Sequence, residues 1–397
     1  MSEPGDDLET ASLGGPAPPA EPLLRTEPSR RVDRAEEMEL DFGPRHPAIH
    51  GVLRLKLAVD GDRILDCVPV VGFVHRGIEK LFEVHTFVQN VAHTDRLDYI
   101  AAATGNLAYV GAVEKLLGLG VPPRARLLRT VLAELQRIAS HLLWLATHAA
   151  EVGARAPALP CHRERERVLD LFEEYCGARL TLSSMRPGGL PYDLPAGWTE
   201  RCRAFVLAFP GEVDRLEELL TEDRLWKKHT VGIGVLTPEV ALEYGVTGPM
   251  LRGSGIDWDL RKALPYEAYG EVEFDVPLGR NGDVYDRYRV RMGELRQSCR
   301  IVLQCLDRLP EGPVLGVCPP LLRAAKGAEV YHGIEGPRGE IGFYLVGDGG
   351  PKPYRCHVRS PSLRNVQVLP ELVRGQLIAE LVAVIGSADI VLTEVDR

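Results

Sequence analysis

One long amphipathic stretch after Pro122 constrains the fold of this chain more than any other feature of its sequence. Apolar side chains recur in it at steps of three and four residues, at Leu127, Leu128, Val131, Leu132, Leu135, Ile138, Leu142 and Leu145. This spacing places them along one face of an α-helix, and other elements must cover that face. We expect further helices at about residues 162–174 and 200–221 and another at residues 283–309. Long helices joined by short turns are typical of a bundle.

Strands are predicted on both sides of this helical region. Apolar and polar residues alternate between residues 51 and 71, and Asp60-Gly61-Asp62 supplies a hairpin turn. A second pair of strands is expected at residues 341–346 and 354–358, followed by a helical segment at residues 369–385. The sequence therefore predicts an α+β fold, in which a central bundle of long helices is joined by a small N-terminal sheet and a mixed C-terminal region.

Charge and proline content separate the first 40 residues from the rest. The whole chain has a formal net charge of −9, and residues 1–40 hold 10 acidic side chains, 4 basic ones and six prolines. We expect a disordered acidic arm at residues 1–40, a small α+β domain at 41–80, a helical bundle at 81–230 and a mixed α/β region at 231–397. A net-acidic chain with 6% aromatic residues is a poor nucleic-acid binder, so we expect no nucleic acid among its partners.

Membrane insertion and cysteine chemistry are both disfavoured. No stretch has the roughly 20 largely apolar residues of a membrane span, so the chain is expected to have no transmembrane segment of its own. The arm also lacks the basic and apolar regions of a secretory signal. The eight cysteines include no CxxC pair, which argues against a zinc ribbon or a cysteine-held iron–sulfur cluster in this chain.

Several polar residues are candidates for chemistry. The segment from Gly43 to Gly51, GPRHPAIHG, displays His46 and His50 on a loop stiffened by prolines. Such a loop could hold a proton-donating histidine, or it could be structural, with both imidazoles bonded to the backbone. Tyr99, at the end of an apolar element, could equally be a core tyrosine.

A second candidate set lies on the long amphipathic helix. His141, His148 and Glu151 lie close together along it, and two histidines with a carboxylate could suggest a metal. Their spacing differs from that of the HExxH motif, so we expect no metal site there.

A series of short motifs, taken in order along the chain, resembles the D subunit of respiratory complex I, the quinone-reducing NADH dehydrogenase. They are GPRHPAIHG at residues 43–51, HRGIEKL at 75–81, DRLDY at 95–99, AVEKLLG at 112–118, VPPRARLLR at 121–129, ELQRIASHLL at 134–143, RPGG at 186–189, FDVPLGRNGD at 274–283 and EVDR at 394–397. The resemblance extends from about residue 40 to the end of the chain. It implies the fold of the superfamily that includes the nickel–iron hydrogenase large subunits.

The resemblance also implies a function and named site residues. His50 and Tyr99 match the residues that flank the headgroup of ubiquinone or menaquinone and supply protons to it. Arg96 matches an arginine near the terminal iron–sulfur cluster, which the neighbouring B subunit holds. The chain would then be the quinone-site subunit of a proton-pumping NADH:quinone oxidoreductase, active only in the complex. Its partners would be the A, B, C, H and I subunits, with the NADH site also in a partner. The protein would be peripheral, on the cytoplasmic side of the cell membrane.

The sequence departs from the family pattern at two positions. Glu151 stands where the family has an aspartate paired with the quinone histidine, and we expect Glu151 to orient His50 and favour its charged form. Thr181 stands where the family has a histidine that tunes the cluster potential. Because threonine cannot titrate near neutral pH, we expect a potential that depends less on pH, which a redox titration of the assembled complex would measure.

Two other functions stay open. One is the large subunit of a membrane-bound hydrogenase-like complex, which the absence of cysteine at residues 96–99 and 389–394 disfavours, because a nickel site needs thiolate ligands. The other is a non-catalytic scaffold subunit whose quinone site has decayed.

Overall fold

The computed structural model describes residues 37–43 and 49–397, which form two small sheets around a helical bundle. The strands are β1 (Glu37–Phe42), β2 (Arg54–Asp60), β3 (Arg63–Val70), β4 (Glu329–Gly336), β5 (Gly339–Gly347) and β6 (Pro353–Arg359). The helices are α1 (Ile78–Val84), α2 (Val91–Thr94), α3 (Ala102–Leu117), α4 (Pro123–Glu151), α5 (Ala158–Cys176), α6 (Trp198–Leu220), α7 (Arg224–Lys228), α8 (Pro238–Glu243), α9 (Gly248–Gly253), α10 (Leu260–Ala263), α11 (Val284–Asp307), α12 (Pro361–Gln367), α13 (Leu369–Val373), α14 (Ile378–Ala388) and α15 (Leu392–Asp396). These elements confirm the α+β fold class.

Helix α4 is the predicted amphipathic helix, and it forms the centre of the bundle. Pro123 occupies its first turn, where the missing N–H would have had no partner in the helix. Its leucine face is buried against α3, α5 and α11, and each fully buried leucine stabilises the fold by about 1.5–3 kcal/mol. Helix α11 begins after Asp283, whose carboxylate accepts a hydrogen bond from the Asp286 backbone N–H at 2.8 Å. Helix α11, which follows the boundary expected at residue 230, packs against both α4 and α6.

The N-terminal sheet joins the first described residues to the last. Its strands follow the order β1-β2-β3 and are antiparallel, with the predicted hairpin between β2 and β3. The arm boundary expected at residue 40 falls inside β1, where Leu40 pairs with Leu57; the rest of the predicted arm, residues 1–36, lies outside the described residues. The inward face of the sheet shares one apolar cluster with α13, α14 and the segment before α15. Both ends of the described chain therefore meet in a single core.

The C-terminal sheet has the order β4-β5-β6 and packs against α3 and α1. Strands β5 and β6 lie where the sequence predicts them, whereas β4 was not predicted. Its sequence EVYHGIEG contains two glycines and little alternation of apolar and polar residues, so it has a weak strand signal. The turn between β4 and β5 carries Arg338, which is buried. Across the described ranges, every helix is too short or too polar to cross a membrane.

Candidate functional site

His50 is fixed by the C-terminal part of the chain. Its backbone N–H donates to Ile390 O at 3.2 Å, and its carbonyl accepts from the Leu392 N–H at 2.9 Å, which makes a parallel bridge to Val391. Gly51 follows with φ of 128°, and a Cβ at this position would lie 2.7 Å from Leu392 Cβ. Only glycine fits this close approach. The preceding residues 44–48 of the loop, which include His46, lie outside the described residues.

The His50 ring faces a carboxylate that the sequence patterns did not point to. Its Nε2 lies 3.9 Å from Asp389 Oδ1, and 14% of the His50 side chain is exposed. The pKa of His50 is lowered to about 4, chiefly by burial; the Asp389 carboxylate partly opposes this effect, and Arg338 adds to it. The imidazole is therefore neutral near pH 7, with one nitrogen able to donate and one able to accept. This differs from the charged His50 expected from Glu151, because burial outweighs the neighbouring carboxylate.

Asp389 is held in an unusual backbone conformation at the end of α14. Its φ is 51°, in the left-handed region, and its N–H caps the helix by donating to Gly386 O. Its Oδ1 accepts from Arg338 Nη2 at 3.1 Å, whereas its Oδ2 is buried with no partner among the described residues. Burial works to raise the pKa of Asp389, but Arg338 and Arg291 outweigh it, so the pKa is lowered. The carboxylate next to His50 is thus negatively charged.

Arg338 connects this carboxylate to the segment that carries Tyr99. Its Nη1 donates to Asp98 Oδ2 at 2.6 Å, and its Nε donates to the Asp389 carbonyl at 3.0 Å. The guanidinium is fully buried, so these charge-assisted bonds are formed away from water. Arg338 therefore holds the segments around residues 98 and 389 together. In the hydrogenase alternative these two segments would carry the nickel-binding cysteines, and here a guanidinium lies between them.

Tyr99 is half-buried, and its hydroxyl makes no hydrogen bond to any part of the chain that the structure describes. Burial and the Asp98 carboxylate raise the pKa of Tyr99, while Arg338 lowers it. The phenol is therefore protonated at neutral pH and its O–H is available to a ligand. Arg338 lowers the pKa of both His50 and Tyr99, so its charge acts on both predicted residues.

Glu394 is a further buried acid in this cluster. Its Oε1 accepts from the Ser362 N–H at 3.0 Å, and its Oε2 has no partner within the described ranges. The neighbouring Thr393 donates its hydroxyl to Leu97 O at 2.6 Å, which attaches α15 to the segment before Tyr99. We refer to Asp98, Arg338, Asp389 and Glu394 as the acid cluster.

Arg96 lies on the surface three residues before Tyr99. About half of its side chain is exposed, and its Nη1 lies 3.6 Å from Asp95 Oδ2. Arg76 donates to the carbonyls of both Arg96 and Thr393, so this basic surface adjoins the acid cluster. An exposed guanidinium is free to face a partner protein.

The other two predicted positions lie in different surroundings. Glu151 is the half-buried last residue of α4, and its pairing with His50 stays a prediction. Thr181 is half-buried in the irregular segment after α5, where the preceding Arg179 binds the surface acids of that helix.

The histidines considered as metal ligands have other roles. His141 Nε2 lies 2.7 Å from Glu294 Oε2, and His148 stacks on Trp144 with ring centroids 5.1 Å apart. Within residues 37–43 and 49–397, no group of three or more His, Cys, Asp or Glu side chains could hold a metal ion. All eight cysteines are free thiols.

Sequence reasoning missed Asp98, Arg338 and Asp389 as site residues, and it quoted Glu394 only as part of a motif. Asp98 had a usable signal, because it precedes Tyr99 in DRLDY. Arg338 had none, since an arginine in a Pro-Arg-Gly hairpin turn normally points into water.

Comparisons with known proteins give a consistent result. Residues 151–326 and 322–397 match the family model described as the 49-kDa subunit of respiratory-chain NADH dehydrogenase. The chain is 49% identical over 361 residues to the D 2 subunit of NADH-quinone oxidoreductase from Solibacter usitatus, covering 91% of this chain and 97% of that protein. It is 47% identical over 386 residues to the D subunit of NADH-quinone oxidoreductase from Geotalea uraniireducens, covering 91% and 99%. The corresponding D subunit from Wolinella succinogenes is 44% identical over 387 residues, covering 91% and 95%.

Proposed function

Because this chain belongs to the family of NADH-quinone oxidoreductase D subunits, the 49-kDa subunits of respiratory-chain NADH dehydrogenase, we propose that it forms the site at which quinone is reduced. The chain is a subunit of an oxidoreductase complex, and quinone fits as the substrate of that complex. The proposal concerns the finer step. Electrons arrive from an iron–sulfur cluster held by a partner subunit, and His50 and Tyr99 bind the ubiquinone or menaquinone headgroup.

The chemistry of quinone reduction explains the residue types. A quinone that accepts two electrons needs two protons, because a dianion is unstable at neutral pH. The Tyr99 hydroxyl and a ring N–H of neutral His50 donate hydrogen bonds to the two carbonyl oxygens. As negative charge develops on the headgroup, it raises the proton affinity of the adjacent groups, so protons are drawn into the site along these hydrogen bonds.

One observation carries this proposal: Arg338 binds Asp98 and Asp389 together at 2.6 and 3.1 Å. Asp98 precedes Tyr99, and Asp389 lies against the His50 ring. The guanidinium therefore fixes the relative position of two segments far apart in sequence. Pre-organised donors of this kind lose little free energy in reorganisation when charge develops on the substrate.

The partners and location follow from the same proposal. Arg96 faces the cluster held by the B subunit, and the A, C, H and I subunits complete the surroundings, with the NADH site in a further partner. The protein is active only in the complex and is peripheral, on the cytoplasmic side of the membrane. Glu151, at the end of α4, helps to orient His50.

The test replaces His50 with methionine, which has a similar volume and cannot donate a hydrogen bond. In membranes carrying the assembled complex, we expect NADH:quinone reductase activity to fall by about a hundredfold or more, with NADH:ferricyanide reductase unchanged. The matched control is His162→Met, which alters an exposed histidine on α5 and should affect neither activity. If assembly responds to His50→Met while turnover of the assembled complex does not, the protein is a scaffold and the proposal is wrong.

A further inference from the structure

The C-terminal end of α14 is held by a continuous series of hydrogen bonds. The last carbonyl groups of a helix have no partner within the helix, and here residues 386–391 are buried, so other parts of the chain must supply the donors. We refer to residues 386–390 as the exit segment. Each of its carbonyl groups accepts a hydrogen bond from a separate part of the molecule: Gly386 O from Trp144 on α4, Ser387 O from Arg291 on α11, Ala388 O from Asn365 on α12, Asp389 O from Arg338 in the β4–β5 turn and Ile390 O from the His50 backbone.

Three of these donors are buried side chains on three different helices. Trp144 Nε1, Arg291 Nη2 and Asn365 Nδ2 donate to the carbonyl groups of residues 386, 387 and 388 at 2.8, 3.0 and 2.9 Å, respectively. Two of the donors also contact each other, because the Arg291 guanidinium lies 4.1 Å from the centroid of the Trp144 ring. Since the donors belong to α4, α11 and α12, they fix the exit segment relative to several helices at once.

The close packing of α14 against α4 restricts the exit segment further. A Cβ at Gly386 would lie 2.4 Å from His148 Nδ1, so only glycine permits this approach. His148 in turn stacks on Trp144, with ring centroids 5.1 Å apart. The start of the exit segment therefore has little freedom to move relative to α4.

The exit segment determines where Asp389 and His50 lie. The three bound carbonyl groups end one residue before Asp389, where the backbone enters the left-handed region with φ of 51°. Asp389 Oδ1 then lies 3.9 Å from His50 Nε2, and the next carbonyl group, that of Ile390, accepts from the His50 N–H at 3.2 Å. A displacement of residues 386–388 would therefore move both the carboxylate that faces the His50 ring and the carbonyl that holds the His50 backbone.

We propose that Trp144, Arg291 and Asn365 are positioning residues of the quinone site, which bind the carbonyl groups of the exit segment and thereby hold Asp389 beside His50. This inference rests on the proposed function. None of the three side chains contacts the quinone headgroup; they act through Asp389 and His50. A displacement of a reacting group by about 1 Å can reduce a rate by about a hundredfold. The loss of one of these donors is therefore expected to reduce kcat for quinone, while the remaining donors keep the segment folded.

The test uses Trp144→Phe in membranes carrying the assembled complex. Phenylalanine keeps an aromatic ring and lacks the N–H that binds Gly386 O. We expect kcat for quinone to fall by about tenfold, with KM for quinone within about twofold of its wild-type value and NADH:ferricyanide reductase unchanged. The matched control is Trp198→Phe, because Trp198 is also buried and its Nε1 donates to a backbone carbonyl elsewhere in the bundle, Leu171 O, at 2.9 Å. A purely structural role predicts that both variants lose similar thermal stability and keep kcat.

A second pair of variants at Arg291 decides the question if Trp144→Phe does not assemble. Arg291→Met removes the donor to Ser387 O, and we expect it to reduce kcat for quinone by about tenfold as well. Arg291→Lys keeps a positive charge and a donor on a side chain of similar length, so it should recover part of this loss. Wild-type kcat in Arg291→Met, or equal losses of kcat in Trp144→Phe and Trp198→Phe, would overturn the inference.

The proposed function fails separately, through the His50→Met experiment. If His50→Met loses quinone reductase while Trp144→Phe and Arg291→Met keep it, only the positioning role is wrong. If His50→Met keeps the turnover of the assembled complex, the quinone-site proposal itself is wrong, and the positioning role is wrong with it.

Discussion

Two buried charged regions of this molecule differ in how completely their charges are matched. In the bundle, Glu294 lies against Arg252, Arg137 and His141, and Glu134 accepts from Arg137, Arg261, Tyr269 and Ser298. In the acid cluster, Arg338 binds two carboxyl groups, those of Asp98 and Asp389, and Asp389 and Glu394 each leave an oxygen without a partner among the described residues.

This difference distinguishes charged groups that stabilise the fold from groups that are suited to proton transfer. Positive neighbours hold the pKa of both Glu134 and Glu294 below its ordinary value despite burial, so these groups stay charged and cannot exchange protons near neutral pH. In the acid cluster, burial raises the pKa of Glu394 to about 7. A group that titrates near the working pH is suited to proton transfer. We expect the fully paired carboxylates Glu134 and Glu294 to stabilise the bundle, whereas the acid cluster is suited to proton transfer.

The largest effect is expected from Arg252→Met in the bundle. Arg252 donates to Glu294 at 2.6 Å and to Glu335 at 2.7 Å, so its loss leaves buried carboxylates without their main partner. Removing one member of a buried ion pair costs about 3–5 kcal/mol. We expect a sharp loss of assembled complex on native gels and a lower temperature of thermal inactivation.

The matched control for Arg252→Met is Arg179→Met. Arg179 also binds three acids, Glu166, Asp170 and Glu173, but it does so on the surface, where ion pairs contribute little. Equal stability of the two variants would contradict a structural role for the bundle charges.

The next effect is expected at Arg338, in the acid cluster. Arg338→Met removes the guanidinium that donates to both Asp98 and Asp389, and these two carboxyl groups can respond by taking up protons. We expect quinone reductase to fall by about a hundredfold, with ferricyanide reductase kept and a smaller loss of thermal stability than in Arg252→Met. Arg338→Lys, which keeps the charge but not the fork geometry, should lie in between. If Arg338→Met lowers the thermal stability of the complex as much as Arg252→Met does, the distinction between the two charged regions is contradicted.

The smallest effect concerns His148, which lies on α4 against Trp144 and Trp226. Neither ring nitrogen has a partner in the described part of the chain, and burial lowers its pKa to about 3, with Arg291 and Arg287 acting in the same direction. As pH falls below about 6.5, His148 binds a proton in the unfolded chain but not in the folded one. The free energy of unfolding therefore decreases by up to about 1.4 kcal/mol per pH unit, until the pKa of folded His148 is reached. Above pH 6.5 this loss is absent.

The measurement compares melting temperatures at pH 7.5 and pH 5 in the wild type and in His148→Leu. We expect the variant to lose less stability than the wild type over this range, because leucine binds no proton in either state. His162→Leu, at an exposed position, should leave the difference unchanged. An unchanged difference in His148→Leu would mean that His148 is hydrogen-bonded and solvated in solution.

Local patterns in the sequence predicted the helices, the first hairpin and strands β5 and β6, because their signals lie within a few neighbouring residues. The leucine spacing after Pro122 is sufficient for α4, and Asp60-Gly61-Asp62 is sufficient for the turn. Strand β4 was missed because its glycines obscure alternation. The C-terminal end of β4 is buried, and this burial depends on α3, which lies some 200 residues earlier in the chain.

The candidate site was predictable only in part, for a related reason. His50 and Tyr99 were identified from motifs resembling a known family, and no local property of either residue marks it as functional. Arg338 binds Asp98, which lies 240 residues earlier in the chain. The burial of Arg338 depends on the whole bundle being folded. The neutral state of His50 could not be predicted either, since it results from burial that only the assembled core supplies.

The backbone bridge between His50 and Val391 has a consequence for biogenesis. It closes a loop of about 340 residues, whose entropic cost is met only after the intervening helices have packed. During synthesis on the ribosome, His50 therefore has no partner for its backbone hydrogen bonds until the segment at the start of α15 has emerged. We expect the attachment of His50 to Val391 to be the last event in the folding of this protein, so that an unfinished chain exposes an unattached N-terminal sheet.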